Sequence, residues 1–311
     1  MAAGKTMVDS RVNGMRGSPG RRGFSGFKTL EAENVLLYVS ERYLGSSLQR
    51  DLLDLPRILD ELEGRSSRLS GTDTLWEWQP DGVDGGDLIV RQFVHGGLWG
   101  KVAGDLFLGR ERMTEELRVH LHARTQGVPT CEPVALRTER NWGPFTRGYL
   151  VTKKLPETCN LKVLCERAQE GLTASPQQKR ALIGRLARAI AAMHDAGILH
   201  ADLNVKNLLV KDYPQDPRVF IIDFDKACIQ ESVPLGKRLR NLVRLDRSVM
   251  KWPATRNVID LSDRLRLWRE YLKRYPEWAD RWKEFAGSYS TSHALHFMSR
   301  KSRKEEQPET S

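Results

Sequence analysis

Apolar residues in the second half of the chain follow the period of a helix with one buried face. The members of this stripe are spaced mostly three or four positions apart: Leu182, Ile183, Leu186, Ile190 and Met193. Ser175 and Pro176 precede the stripe, and Gly197 follows it. Because Ser caps helix N-termini, Pro suits the first turn and Gly suits the C-terminal stop, the pattern predicts one long helix between residues 175 and 197.

The first half of the chain shows the shorter apolar runs that are typical of strands. Three segments are predicted to be strands: residues 87–94, 133–137 and 148–155. Two segments with helical periodicity are predicted to be helices: residues 48–62 and 112–126. The predicted order is therefore a small sheet with a helix between its strands, followed by a mainly helical region.

A polar turn separates two further apolar runs in the helical half of the chain. Residues 208–210 and 219–222 are predicted strands, and the Pro-containing turn at 213–217 is predicted to join them as a hairpin. His200 and Asp202 precede the first of these strands, and Asp223 follows the second. Polar side chains therefore flank the hairpin at both ends.

The residues around this hairpin have the spacing of a phosphotransferase active site. His200, Asp202 and Asn207 match the pattern H-x-D-x-x-x-x-N, and Asp223 is followed by Phe224. In phosphoryl transfer one carboxylate meets the acceptor hydroxyl, while an amide and a second carboxylate hold the Mg²⁺ ions that bridge the ATP phosphates. The pattern predicts Asp202 as the catalytic carboxylate and His200 as the residue that organises its loop. Asn207 and Asp223 are the predicted metal ligands.

The alternative is an ordinary hairpin in which the same polar residues make only structural hydrogen bonds. Each part of the motif is common alone, but His, Asp, Asn, a buried strand and Asp-Phe together are not. The combination favours an α+β fold of the protein-kinase-like, two-lobed kind. The predicted divisions are a disordered tail at 1–30, a small β-rich N-lobe with a preceding helix at 31–155, a mainly helical C-lobe with the catalytic loop at 156–286, and a disordered tail at 287–311.

A kinase site also needs a cation that holds the ATP phosphates and a helix carboxylate that fixes this cation. Arg91 on a predicted strand and Glu116 on the following helix are the candidates. Arginine in place of lysine keeps the charge and can grip phosphate through two N–H groups. Lys101 is a competing cation, and a solvent-facing role is the alternative for Arg91 and Glu116. A turn with Gly64 and Ser66 is a candidate for covering the phosphates with backbone amides.

Composition narrows the compartment and the class of partner. The formal charge of +10 and the pI near 9.5 indicate an acidic partner, such as a phosphorylated substrate, an anionic membrane or nucleic acid. The four cysteines form no C-x-x-C pair, which is typical of reduced cytosolic thiols. No apolar run reaches the roughly 18–20 residues of a membrane span, and we see no signal-peptide core. An aromatic-basic stacking surface is not apparent, so nucleic acid is not an expected partner.

A wider pattern along the chain includes the catalytic motif. Its segments are LIVRQFVHGGL at 88–98, Glu116 with GVP at 127–129, HDAG at 194–197, HADLNVKN at 200–207, IDFDKA at 222–227 and NLVRLDRS at 241–248. Together these segments resemble the lipopolysaccharide kinase family. Asp225 replaces the glycine of protein kinases, which is ordinary for this family. Val94 and His95 stand where the family usually has two basic residues, a departure at a position that the family uses near the acceptor.

The resemblance implies ATP-dependent phosphorylation of a hydroxyl of 3-deoxy-D-manno-octulosonic acid (Kdo) on a lipid A precursor, with ATP and Mg²⁺ as cofactors. It also implies peripheral attachment at the cytoplasmic face of the inner membrane. The basic helical stretch at 237–251 suits such a site, because its cations can meet anionic headgroups while its apolar stripe docks on the C-lobe. A plain solvated helix is the alternative for this stretch.

Two other classes of function stay open at the level of sequence. One is a kinase of the same fold that acts on a heptose, an antibiotic or a protein. Asn204 stands where protein kinases carry lysine, and no A-P-E landmark follows Asp223, so a protein acceptor is disfavoured. The other class is a non-catalytic, pseudokinase-like binder or a nucleic-acid-binding module. The intact base and metal positions favour an enzyme.

Overall fold

The structure is a computed structural model, and it describes most of the chain. The described residues are 23–63, 75–80, 86–94 and 105–281. They divide into two compact units. The first unit takes its residues from Met1–Gln126, Thr130–Pro156 and Phe224–Lys226. The second takes its residues from Gly127–Pro129, Glu157–Asp223 and Ala227–Ser311.

The described part of the first unit is built on an antiparallel sheet of seven strands. The strands are β1 (Phe27–Ala32), β2 (Val35–Ser40), β3 (Leu75–Trp78), β4 (Leu88–Gln92), β5 (Phe107–Leu108), β6 (Pro133–Trp142) and β7 (Phe145–Lys153). Their order across the sheet is β1-β2-β6-β7-β4-β3, with β5 paired to β7. The three strands predicted from sequence are confirmed, and two of them belong to the long β6–β7 hairpin.

Strand β2 explains why this sheet has two cores. Its residues alternate between the faces, yet Leu36, Leu37, Tyr38 and Val39 are all buried. Leu37 and Val39 pack in one apolar cluster with residues 48–59, whereas Leu36 and Tyr38 pack in the other with Met113 and Leu117. A strand that is covered on both faces reads as a continuous apolar run instead of an alternating one.

The first unit differs from the sequence prediction at its start. Residues up to 30 were predicted to be a disordered tail, but β1 begins at Phe27 and pairs with β2 from Phe27–Ser40 to Ala32–Val35. The two-residue turn between them carries Glu33 at φ 49°, the left-handed conformation of tight hairpins. The prediction is wrong for these residues because their charged side chains obscured the strand pattern.

The helix predicted at 48–62 is two helices in the structure, α1 (Ser47–Leu53) and α2 (Leu55–Glu63). Pro56 lies in the first turn of α2, where it has no N–H to donate to the preceding turn. A single continuous helix is therefore interrupted here. The other predicted helix is confirmed as α3 (Glu111–Thr125).

The described part of the second unit is mainly helical. Its helices are α4 (Leu161–Gln169), α5 (Pro176–Asp195), α6 (Leu235–Lys251), α7 (Pro253–Val258) and α8 (Leu261–Leu272). Its short strands are β8 (Thr158–Asn160), β9 (Ile198–Leu199), β10 (Leu208–Lys211), β11 (Arg218–Ile221) and β12 (Cys228–Ile229). The predicted hairpin is confirmed, since β10 pairs antiparallel with β11 from Leu208–Ile221 to Lys211–Arg218.

The long helix predicted from the apolar stripe is confirmed as α5. The side chains of Ser175 and Gln178 form a capping box at its N-terminus, which satisfies backbone donors that the helix leaves unpaired. Gly197 follows its C-terminus at φ 75°, and a Cβ there would lie 2.2 Å from the Gln230 carbonyl oxygen. Only glycine fits that turn. The turn connects α5 to β9, and β9 leads directly to His200.

The remaining structural expectations concern thiols, membrane spans and the C-terminal tail. All four cysteines are free. Within the described ranges, no helix has both the length and the hydropathy that crossing a membrane requires. The predicted tail at 287–311 lies outside the described residues.

Candidate active site

His200 ties the catalytic loop together from the inside. Its side chain is fully buried. Nδ1 accepts a hydrogen bond from the backbone N–H of Asp202 at 3.1 Å, and Nε2 donates to the backbone carbonyl of Ile222 at 3.3 Å. Burial lowers the pKa of His200, in keeping with a neutral ring that donates from one nitrogen and accepts at the other. These contacts give His200 the geometry of a loop-organising residue.

Asp202 presents its carboxylate to solvent. Its side chain is 61% exposed. The Asn204 side-chain amide donates to Asp202 Oδ2 and to its backbone carbonyl, each at 3.0 Å. The backbone of the residue is thus fixed by His200 and Asn204 while the carboxylate stays accessible, which is the arrangement that an acceptor hydroxyl needs.

The structure brings the two predicted metal ligands together. Asn207 Nδ2 lies 3.4 Å from Asp223 Oδ2 and donates to the Asp202 backbone carbonyl at 3.0 Å. Asn207 is buried, and its backbone carbonyl accepts from the N–H of Ile222 at 3.0 Å, which locks the loop to the end of β11. The nitrogen of the Asn207 amide is thus engaged by protein groups.

The chain leaves β11 through an unusual backbone conformation at Asp223. Its φ is 65°, in the left-handed region that few residues other than glycine, asparagine and aspartate adopt. Residues held in this region are concentrated at functional sites, where the surrounding structure over-determines them. The turn directs the carboxylate of Asp223 towards Asn207.

The residues after Asp223 are anchored in the first unit. Phe224 is fully buried, with its ring edge-on to His120 at a centroid distance of 5.3 Å. The guanidinium of Arg112 holds Asp225 through two nitrogens, with Nε 2.6 Å from Oδ1. Sequence analysis noted Asp225 only as a replacement for glycine and missed its partner on α3.

Helix α3 carries a second ion pair one turn further on, and this pair is the one predicted from sequence. Arg91 Nη2 contacts Glu116 Oε1, and the two side chains are 16% and 1% exposed. The Arg91 guanidinium also lies 4.9 Å from the centroid of the Phe93 ring. The predicted pairing of strand cation and helix carboxylate is confirmed, and the solvent-facing alternative is wrong for both residues. Gly64, Ser66, His95 and Lys101 lie outside the described residues.

The catalytic loop is also held from α6 by Asn241, a residue that sequence analysis gave no role. Asn241 Nδ2 donates to the His200 carbonyl at 2.9 Å, and Oδ1 accepts from the His200 N–H at 3.3 Å. The same oxygen accepts from Nε2 of His194 at 3.1 Å, and His194 Nδ1 accepts from the Tyr271 hydroxyl at 2.7 Å. Burial lowers the pKa of His194 to about 4, so this ring is neutral near pH 7.

A second bond fixes α6 to the loop two turns later. The backbone N–H of Val205 donates to Ser248 Oγ at 2.8 Å. Asn241 and Ser248 begin and end the segment NLVRLDRS that carried part of the family resemblance. The resemblance was the available signal for these residues, since local patterning shows only an amphipathic helix.

The oxygen ligands of this loop suit a hard divalent cation. Magnesium prefers carboxylate and carbonyl-type oxygens and few protein ligands, with phosphate and water completing its shell. The Asp223 carboxylate and the Asn207 amide oxygen provide that donor set. Among the described residues, no three His, Cys, Asp or Glu side chains form a metal-binding group.

In the second unit, a fixed loop carboxylate and an amide paired with a carboxylate at a strand end are typical of a kinase-like phosphotransferase. In the first unit, a strand arginine held by a helix glutamate is a further feature of the same class. The sequence profile of the lipopolysaccharide kinase (Kdo/WaaP) family matches residues 54–275. The chain therefore belongs to this family and is a kinase.

Individual relatives agree with this assignment. The 3-deoxy-D-manno-octulosonic acid kinase of Mannheimia succiniciproducens is 31% identical over 209 residues, which cover 66% of this chain and 82% of the relative. The same-named enzyme of Actinobacillus succinogenes is 31% identical over 219 residues, covering 68% and 86%. The one from Vibrio cholerae is 33% identical over 193 residues, covering 61% and 75%.

A solved structure shares the fold. It is described as WaaP in complex with acyl carrier protein, and its superposition covers 82% of this chain and 97% of that chain at a TM-score of 0.54. The identity is 20%, so the likeness concerns the fold alone.

Proposed function

We propose that this kinase transfers the γ-phosphoryl group of ATP to a hydroxyl of Kdo on a Kdo-bearing lipid A precursor, in the synthesis of the lipopolysaccharide core. The observation that carries the proposal is the open carboxylate of Asp202, fixed by its neighbours on the loop that also holds Asn207 against Asp223. Relatives named as Kdo kinases over most of their length support the choice of acceptor.

Asp202 orients the acceptor hydroxyl and takes its proton late in the reaction. The transition state of phosphoryl transfer is loose, so the hydroxyl needs positioning more than it needs a strong base. An exposed carboxylate meets this requirement, because substrate can reach it from the solvent side. His200 keeps the loop in place and does not touch the substrate in this mechanism.

Asn207 and Asp223 are the residues that would hold Mg²⁺, and the ion would supply neutralisation of the negative charge on the ATP phosphates. The strained backbone of Asp223 and the hydrogen bonds of Asn207 fix both ligands before the metal arrives. Such preorganisation reduces the conformational entropy that the two side chains lose when the metal binds.

Arg91 binds the α- and β-phosphates of ATP, and Glu116 fixes its guanidinium. An arginine held by a buried carboxylate and packed on an aromatic ring loses little side-chain freedom on binding phosphate.

A sugar acceptor fits the loop better than a peptide does. Asn204 stands where protein kinases carry lysine, and its amide is committed to Asp202 at 3.0 Å. The loop therefore offers a short neutral side chain beside the reacting carboxylate. A heptose or an antibiotic would also meet this criterion, and acceptor screening separates these from Kdo.

We further propose that the protein works peripherally at the cytoplasmic face of the inner membrane, with helix α6 as the contact. The apolar stripe of this helix, including Leu242 and Val249, is buried within the second unit, so it does not enter a bilayer. The exposed residues of the helix include four cations spaced three or four apart: Arg240, Arg244, Arg247 and Lys251. Such a stripe favours anionic headgroups at about 1 kcal/mol per cation near the surface.

A transfer assay tests the acceptor. Protein with ATP and Mg²⁺ is offered a Kdo-bearing lipid A precursor, the same lipid without Kdo, and a generic protein, with Asp202→Asn as the control variant. Mass spectrometry should show one added phosphate on the Kdo-bearing lipid alone, and none with the variant. Equal transfer to the lipid without Kdo would show that the phosphorylated hydroxyl does not belong to Kdo. Binding of ATP without any transfer would favour a non-catalytic binding protein.

Attachment to the membrane needs its own measurement. Sedimentation with vesicles that contain anionic phospholipid should retain the protein at low salt and release it at high salt, because exposed charges are screened. The variant Arg247→Gln should bind less. Equal binding to neutral vesicles would contradict the electrostatic contact.

A further inference from the structure

Helix α6 is attached to the catalytic loop at two points that frame one arginine. Asn241 bonds to the backbone of His200, and Ser248 bonds to the backbone of Val205. Arg244 lies three residues after Asn241 and four before Ser248, so all three share one face of the helix. That face is the one turned to the catalytic loop.

Arg244 projects from this face to the carboxylate of Asp202. Its Nη1 lies 3.7 Å from Asp202 Oδ1, beyond the range of a good hydrogen bond. The two side chains are 54% and 61% exposed. An exposed, loosely paired arginine of this kind contributes little to folding stability. Its position at the reacting carboxylate is therefore better explained by a ligand than by stability.

We propose that Arg244 binds the carboxylate of the acceptor sugar acid and so determines specificity for an acidic sugar. This inference rests on the proposed function. The carboxylate and the reacting hydroxyl belong to the same sugar ring. When the hydroxyl binds at Asp202, the carboxylate is therefore brought close to Asp202 as well. Within the part of the chain that the structure describes, Arg244 is the cationic residue in ion-pair range of Asp202. Its planar guanidinium can hold a carboxylate through two parallel N–H bonds.

The same contact would offset the repulsion between the carboxylate of the acceptor and that of Asp202. An anionic acceptor approaching Asp202 would place two carboxylates close together, and like charges at short range repel each other. A guanidinium between them contacts both. The attachment of α6 through Asn241 and Ser248 keeps the helix, from which Arg244 projects, in place beside the catalytic loop before substrate binds. The backbone at Arg244 therefore needs no ordering on binding.

The test changes one partner on each side of the contact. Steady-state transfer is measured in neutral detergent micelles, so that membrane attachment has no influence, with the Kdo-bearing lipid and with the same lipid whose sugar carboxylate is converted to a carboxamide. The enzymes are wild type, Arg244→Gln, Arg244→Lys and the control Arg188→Gln, an exposed arginine of α5. Thermal unfolding of each variant and its KM for ATP are measured in parallel.

Wild type and Arg188→Gln should lose about 10- to 100-fold in kcat/KM on the carboxamide, the usual worth of a charge-assisted hydrogen bond. Arg244→Gln should lose a similar factor on the carboxylate acceptor, mostly in its KM, and lose little more on the carboxamide. Arg244→Lys should recover part of the loss. The unfolding midpoint and the KM for ATP should stay at their wild-type values.

Two results overturn the inference while the proposed function stands. One is that Arg244→Gln still discriminates between the two acceptors as strongly as wild type does. The other is that the variant loses kcat equally on both acceptors while wild type does not discriminate, which would make Arg244 a positioning residue for Asp202. If wild type phosphorylates neither acceptor, the proposed function itself fails, and the inference fails with it.

Discussion

Replacing Asn241 with leucine tests whether helix α6 holds the catalytic loop. The substitution keeps a side chain of similar length but removes both polar atoms of the amide. Three groups then lose this partner: the N–H of His200, the carbonyl of His200 and Nε2 of His194. All three lie in the interior, because Asn241 is 5% exposed and both histidines are fully buried.

The expected loss of stability follows from these three bonds. Leaving a buried polar group without its partner costs about 1–3 kcal/mol. The leucine adds apolar burial, which offsets part of the loss, so Asn241→Leu should lower the free energy of unfolding by about 4 kcal/mol. For a unit of this size that corresponds to a fall of about 10 °C in Tm.

Three measurements check this reasoning. Calorimetry gives the fall in Tm, hydrogen exchange should show faster exchange of the His200 amide, and the transfer assay should show reduced kcat with the KM for ATP unchanged. Ser248→Ala, which removes one bond to the Val205 N–H, should cost only about 1 kcal/mol. The control Arg188→Gln should leave all three readouts at wild type. If Asn241→Leu unfolds at the same temperature as this control and keeps its kcat, Asn241 does not hold the loop.

The remaining predictions concern turnover, the ion pair and pH. Asp202→Asn should lower kcat by about 10²–10⁴-fold with ATP still bound, as transfer and ATP-titration assays would show; a variant with full kcat would contradict its role. Glu116→Gln should lower the unfolding free energy by about 3 kcal/mol and raise the KM for ATP, because Arg91 loses its buried partner; unchanged values of both would remove this pair from the site. Burial lowers the pKa of His120 and His194 from 6.5 to about 4, so their neutral forms favour the native state. Their contribution to stability is complete above pH 6.5 and is lost as the pH falls towards 4, by about 3 kcal/mol for each histidine. Denaturant titrations from pH 7.5 to 4.5 should show that the unfolding free energy of His194→Gln falls less steeply with decreasing pH than that of the wild type.

Local sequence signals were sufficient where a structure depends on neighbouring residues. The capping box at Ser175, the glycine stop at Gly197 and the period of the apolar stripe fix α5 without reference to the rest of the chain. The interruption at Pro56 was also visible, since a proline without an N–H breaks the helical ladder wherever it lies. It was missed because the apolar period continues across it.

Contacts between residues far apart in the chain could not be predicted from local patterns in the sequence. Arg112 and Asp225 are 113 residues apart, and Asn241 lies 41 residues from His200. An arginine, an aspartate and an asparagine on amphipathic elements have many possible partners, and propensity does not choose among them. The pair Arg91–Glu116 could be predicted only because the motif of a kinase site specifies which cation meets which carboxylate.

The sequence by itself determined the chemistry of this protein and the order of its elements. The spacing of His200, Asp202 and Asn207, with Asp223 at a strand end, indicates a phosphotransferase because one loop and the next strand then supply a carboxylate for the acceptor hydroxyl and oxygen ligands for the metal. Only the tertiary structure decided how the loop is held and that Arg244 reaches Asp202. Turns and caps depend on short-range bonding that residue types encode directly, whereas the contacts of α6 with the loop depend on packing, which brings distant residues within reach of each other.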